Sequence, residues 1–161
     1  QGSPRHVGST GGLSGFKLSI REGGIRVPGL LVWPARVAKP RTIEAPCVTS
    51  DYFPTILDAL EIPLPDDRVY DGVSLLPLID GKRGDRGRPI GFLNREGAEG
   101  AWMEDRYKLI TREGKAWLYD IVEDPAESKD LSEARPEVSA RMKRELEAWK
   151  KAVMADKARW D

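Results

Sequence analysis

The chain has 161 residues, enough for one ordinary domain or for the end of one domain plus a small second one. Its 26 basic and 26 acidic residues balance, so no global field points to nucleic acid or to an anionic membrane. No apolar run reaches the roughly 18 residues of a membrane span, and a single cysteine, Cys47, excludes an internal disulfide.

Residues 1–24 are rich in Gly, Ser and Thr and read as an irregular loop that presents one lysine, Lys17. Gln1 opens the chain in what reads as mid-domain loop, without a recognisable leader, so the sequence is expected to begin inside a longer protein. The loop offers too little apolar surface to order itself and is expected to need outside support. Gly23 and Gly24 allow positive φ and close backbone approach, and the Glu22-Gly23-Gly24 turn feeds the run Ile25 to Trp33. Leu30 to Trp33 are apolar at consecutive positions, which predicts a strand covered on both faces, with Pro28 at an edge or outside the ladder.

After the Pro-rich turn from Pro34 to Pro40, Thr49 or Ser50 can cap a helix over roughly Asp51 to Leu60. Phe53, Ile56, Leu57 and Leu60 fall on one face of it. Pro63 and Pro65 end that helix, and Leu75, Leu76, Leu78 and Ile79 predict a short turn packing back onto the body. Gly81 to Arg88 reads as an exposed, solvated loop: its basic residues lack the interleaved aromatics of a nucleic-acid surface. Cys47 has no evident base nearby and is expected to be a buried structural thiol.

The last third changes texture. Pro89 to Asn94, Ala101 to Met103, Tyr107 to Thr111 and Ala116 to Asp120 predict short antiparallel strands divided by Gly97, Gly100, Asp105 and Gly114. Pro136 fits the first position of a long helix, along which Val138, Met142, Leu146, Trp149 and Val153 form one apolar stripe. A small antiparallel sheet crossed by this helix is the simplest arrangement that buries both.

Four stretches of the chain together resemble the C-terminal side of sulfatases. They are Gly8 to Pro34 with its Glu-Gly-Gly turn, Asp51-Tyr52-Phe53-Pro54-Thr55, Asp71-Gly72-Val73-Ser74-Leu75-Leu76-Pro77-Leu78, and the hairpin stretch Trp102 to Ile110 with Leu118-Tyr119-Asp120 to Asp130-Leu131. The resemblance implies an α/β fold: the end of a large mixed-sheet catalytic domain over 1–87, then a small α+β subdomain over 88–161 with an antiparallel sheet and a long helix. It implies hydrolysis of sulfate monoesters of small molecules or glycans, by a formylglycine nucleophile beside a bound calcium ion. A phosphodiesterase or phosphonate monoester hydrolase fragment is the alternative within the same superfamily. A non-catalytic binding or assembly module is the alternative outside it.

Residue by residue, Lys17 stands where the family places a catalytic lysine, five residues before the glutamate of Glu-Gly-Gly. An ammonium on a glycine-rich loop can stabilise charge building on a departing oxygen, and it needs no bidentate alignment. His6 lies eleven residues earlier, beside the family's substrate entrance, and is the candidate substrate contact. Ser14 departs from the arginine of many relatives, and Glu22 with Arg26 reads as a structural pair. No Cys/Ser-x-Pro-x-Arg motif occurs, and no acidic cluster has calcium-ligand spacing. Nucleophile and metal ligands are therefore expected in an amino-terminal part that this segment contacts, and the segment alone is expected to be inactive. The resemblance also points to a periplasmic or secreted setting.

Overall fold

The computed structural model describes residues 8–94 and 97–157. Among them the elements are α1 (Glu22–Ile25), a 3-10 turn (Thr49–Asp51), α2 (Tyr52–Ala59), α3 (Leu76–Ile79), β1 (Ile90–Leu93), β2 (Glu99–Glu104), β3 (Tyr107–Arg112), β4 (Lys115–Asp120) and α4 (Pro136–Lys157). The chain divides into two compact units. One joins residues up to Pro28 with those from Gly91 onward; the other is Gly29–Ile90.

The first unit is built on a four-stranded sheet in the order β1-β2-β3-β4. β2 pairs antiparallel with β3, Trp102 opposite Leu109, and β3 with β4, Leu109 opposite Leu118. Residues alternate between faces with period two, so Trp102, Leu109 and Leu118 point together toward α4, where Met142 and Leu146 complete a core. Burying each of these aliphatic side chains stabilises the unit by about 1.5–3 kcal/mol. The Trp102 indole N–H donates to Glu145 at 3.1 Å, which satisfies the polar end of a buried ring. The predicted hairpins, helix and stripe are all present.

The opposite face of the sheet is covered too. Ala101, Met103, Lys108, Ile110 and Tyr119 are buried there, together with Ile20 and Glu22 from the glycine-rich segment. Ile20 and Glu22 are the buried residues of the 8–24 segment; residues 8–19 are exposed or half-buried. Gly23 and Gly24 lie within α1 and do not adopt positive φ; what they supply is close approach. A Cβ on Gly24 would stand 2.1 Å from the Ser19 carbonyl oxygen, and one on Gly23 would meet the Ser14 and Gly15 carbonyls at 2.6 Å.

The second unit, residues 29–90, has a thinner interior. Leu76, Leu78, Ile79 and Ile90 are buried. The predicted strand over Ile25 to Trp33 is absent: Ile25 ends α1, and 26–33 belongs to no sheet. Leu30 is 92 % exposed, and Leu31 and Val32 are exposed beside it. A strand needs a neighbour for its backbone N–H and C=O groups, and no described strand pairs with this run. α2 forms where the apolar spacing predicts it, yet Phe53, Ile56 and Leu60 of its stripe are exposed.

Candidate functional site

Lys17 sits on an exposed turn closed by the Ser19 N–H donating to the Phe16 carbonyl at 2.9 Å. Leu18, next to it, has φ 76°, a left-handed conformation that costs a non-glycine residue about 1–3 kcal/mol unless its surroundings hold it. The turn is held from behind. The Gly23 N–H donates to the Ser14 carbonyl at 2.7 Å, and the Arg21 N–H to Ser19 Oγ at 3.1 Å. His6 lies outside the described residues.

Behind the turn stands a buried charge cluster that the residues alone did not reveal. Lys108, on β3, has no exposed side-chain surface, and its Nζ lies 2.7 Å from Glu22 Oε1 and 2.9 Å from Glu127 Oε1. Glu127 also accepts the Glu22 backbone N–H at 3.0 Å through Oε2. Arg26 approaches Glu22 at 3.7 Å, so the expected Glu22–Arg26 pair exists as the rim of a larger network. Arg21 lies 4.0 Å from Glu127, and its guanidinium sits over the Tyr119 ring. Tyr119 is the cross-strand partner of Lys108, so Arg21 and Glu22 dock on adjacent positions of one sheet face.

Three aspartates shape the loop that delivers Glu127. Asp120 accepts the N–H groups of Val122 and Glu123, Asp124 those of Ser128 and Lys129, and Asp130 those of Leu118 and Ser132. All three carboxyls are held below their ordinary pKa. In Asp120 and Asp130 burial acts in the opposite direction and is overcome by these hydrogen bonds and, for Asp120, by Arg106. In Asp124 the Lys129 N–H is the leading cause. The Tyr-Asp to Asp-Leu pattern is therefore a set of backbone ties.

In the 29–90 unit, Asp51 is the hub. Its carboxylate accepts the Val48 N–H at 3.0 Å and the Val73 N–H at 2.9 Å, and takes the Arg86 guanidinium through Nε at 2.9 Å. Arg86 donates onward to the carbonyls of Asp71, Arg88 and Pro89. Thr55 Oγ1 accepts the Leu75 N–H at 2.9 Å and donates to the Asp51 carbonyl. Two sequence stretches that look independent, Asp51 to Thr55 and Asp71 to Leu78, are thus bonded into one structure. Arg86 is buried, a correction to the solvated reading of Gly81 to Arg88. Its five-donor fork lets a guanidinium satisfy one carboxylate and three carbonyls at once.

Cys47 is exposed, contrary to the expected buried thiol, and its thiol donates to the Ala45 carbonyl at 3.4 Å. Partial desolvation, then the nearby Asp51 charge, raise its thiol pKa, so it is not poised as a thiolate. Among the described residues no group of three His, Cys, Asp or Glu side chains is placed to hold a metal ion. A calcium site does not fit them. No helix among them is long and apolar enough to cross a membrane.

No family model matches the chain. Steryl-sulfatase of Homo sapiens is 46 % identical over 77 residues, which are 48 % of this chain and 13 % of that protein. Arylsulfatase G of Rattus norvegicus is 32 % identical over 148 residues, covering 78 % of this chain and 28 % of the relative. A solved protein from work on the metabolism of multiple glycosaminoglycans by Bacteroides thetaiotaomicron superposes with TM-score 0.77 at 27 % identity, over 88 % of this chain and 32 % of that one. Ps i-CgsB superposes with TM-score 0.72 at 25 % identity, over 81 % and 30 %.

A four-stranded antiparallel sheet under a long helix, joined to α/β sulfatase neighbours, is the class that these likenesses define. The chain is a C-terminal portion of a sulfatase, spanning between 13 % and 28 % of the two curated relatives named above.

Proposed function

We propose that this segment belongs to a sulfate monoester hydrolase and supplies the lysine that neutralises the sulfate. The observation that carries the reading is the placement of Lys17: an exposed ammonium on a braced turn, five residues ahead of a buried glutamate. As the ester bond breaks, negative charge gathers on the departing oxygen and the sulfate oxygens. A fixed ammonium stabilises that charge more than it stabilises the ground state, which lowers the barrier. His6 is the proposed contact to the organic part of the substrate. The substrate class is a sulfated small molecule or glycan; the neighbour Ps i-CgsB, solved also in complex with k-i-k-neocarrahexaose, supports the glycan arm.

The nucleophile and the calcium ligands belong, in this reading, to an amino-terminal part that also covers Leu30 to Trp33 and the α2 stripe. Exposed apolar surface of that extent marks an interaction site, and consecutive apolar residues fit a strand sheathed on both faces. The purified 161-residue chain, assayed with a chromogenic aryl sulfate and calcium, is expected to show no turnover above buffer. Turnover that Lys17→Ala abolishes would overturn the fragment reading. In the full-length enzyme, sulfate esters are expected to be cleaved far faster than phosphate esters. The reverse order would favour the phosphodiesterase or phosphonate hydrolase alternative.

A further inference from the structure

We propose that Lys108 and Glu127 are positioning residues for Lys17, acting through Glu22. Together they clamp the Glu-Gly-Gly turn against the sheet and thereby set where the lysine turn stands. The inference rests on the sulfate role given to Lys17 above.

The chemistry of the cluster argues for direction rather than bulk stability. Lys108 is the second residue of β3, flanked by Tyr107 and Leu109, on a face otherwise lined by Ala101, Met103, Ile110 and Tyr119. An apolar residue of similar volume would serve packing at least as well, because the desolvation of an ammonium and two carboxylates opposes their mutual attraction. An ion cluster does what an apolar contact cannot: it is satisfied in few geometries. Lys108 Nζ donates to Glu22 Oε1 at 2.7 Å and lies 2.9 Å from Glu127 Oε1 as an ion pair without hydrogen-bond alignment, while Glu127 Oε2 accepts the Glu22 backbone N–H. Glu127 itself has φ 53°, a strained conformation held by the Asp124 carboxylate, which accepts the Ser128 and Lys129 N–H groups just after it.

The clamp is connected to Lys17 through the 19–23 backbone and the Arg21 N–H bond to Ser19 Oγ. Gly23, next to Glu22, donates to Ser14; Ser19 donates to Phe16; no Cβ fits at Gly24 against Ser19. Movement of Glu22 therefore carries both feet of the lysine turn with it. A displacement of about 1 Å at a charge-stabilising group can cost on the order of a hundredfold in rate. Residues 22, 108 and 127 come from three distant stretches, so the small sheet subdomain acts on the substrate end of the chain without touching substrate.

Hydrogen exchange on the 161-residue chain tests the clamp without any activity. In Lys108→Met, the amides of Ser19, Gly23, Gly24 and Arg26 are expected to exchange roughly tenfold faster or more, while those of Leu109, Ile110, Met142 and Leu146 stay within about threefold. Glu127→Gln, which keeps an acceptor for the Glu22 N–H, is expected to give the same selectivity with a smaller factor. It serves as the gentler variant should Lys108→Met fail to fold. Unchanged turn amides in either folded variant, or turn and sheet amides rising together, would overturn the clamp. In the full-length enzyme, Lys108→Met is expected to lower kcat for an aryl sulfate with KM little changed, in parallel with Lys17→Ala. A freed turn with kcat untouched would overturn the positioning role. Lys17→Ala without effect on kcat would instead remove the sulfate reading and leave the exchange result standing.

Discussion

Arg86 reaches back thirty-five residues to grip the Asp51 carboxylate through two guanidinium nitrogens, and both side chains are almost wholly withdrawn from solvent. This pair, rather than a large apolar core, ties the 3-10 turn, the Asp71-Gly72-Val73 stretch and the 86–90 segment together.

Removing one partner leaves the other charged and buried. Asp51→Ala or Arg86→Met is expected to destabilise the 29–90 unit by roughly 3–5 kcal/mol. Urea denaturation followed by proteolytic mapping of residues 45–90 checks this. A loss below about 1 kcal/mol, the size of an exposed pair, would contradict it.

The same pair predicts a pH dependence. Burial pushes the Asp51 carboxyl up, but Arg86 and the Val48 and Val73 N–H groups outweigh it and hold the pKa below the ordinary value. The unfolded chain has the ordinary value near 3.9. Above about pH 5 the contribution is fully present, because neither state binds the proton. As pH falls through the unfolded value toward the lower folded one, the unfolded state takes up the proton first and stability is lost. Asp51→Asn is expected to flatten this part of the stability profile in acid titration.

Gly72 has no room for a side chain, since a Cβ would stand 2.0 Å from the Ser50 carbonyl oxygen. Gly72→Ala is expected to force the Asp51–Val73 contact apart and cost about 1–3 kcal/mol. Thermal unfolding measured beside an exposed control, Gly29→Ala, separates the local clash from the general effect of losing a glycine.

Lys17 is exposed, so Lys17→Ala is expected to leave the melting temperature of the chain unchanged. In the full-length enzyme the same change is expected to lower kcat by roughly 10²–10³-fold, the scale of losing one charge-stabilising donor. Steady-state kinetics on an aryl sulfate, with melting curves in parallel, reads both.

Leu30→Asp and Val32→Asp change exposed positions and are expected to alter the stability of this chain by no more than about 0.5 kcal/mol. In the full-length protein the same changes are expected to abolish soluble folding, which expression of both forms side by side measures. Equal tolerance in the two would count against a covering amino-terminal part.

What could be read from residues in order was whatever depends on near neighbours. The stripe from Val138 to Trp149, the first-turn Pro136 and the glycine-divided strands β1 to β4 all follow from periods of a few residues, and the sulfatase likeness rested on short strings of that kind. Contacts between distant stretches decided the rest. A lysine between Tyr107 and Leu109 reads as the solvent side of a strand, and an arginine in Lys82 to Arg88 reads as part of a solvated loop. Each is instead the centre of a buried ion cluster whose partners lie 86 and 35 residues away. Even the Leu30 to Trp33 run, apolar enough for a strand, forms none here, because a strand is completed by hydrogen bonds from another stretch of chain. Local periodicity determined the helices and hairpins of this protein. The pairing of Lys108 with Glu22 and of Arg86 with Asp51 was decided only in three dimensions, because the energy of a buried charge depends on what surrounds it, not on its neighbours in the chain.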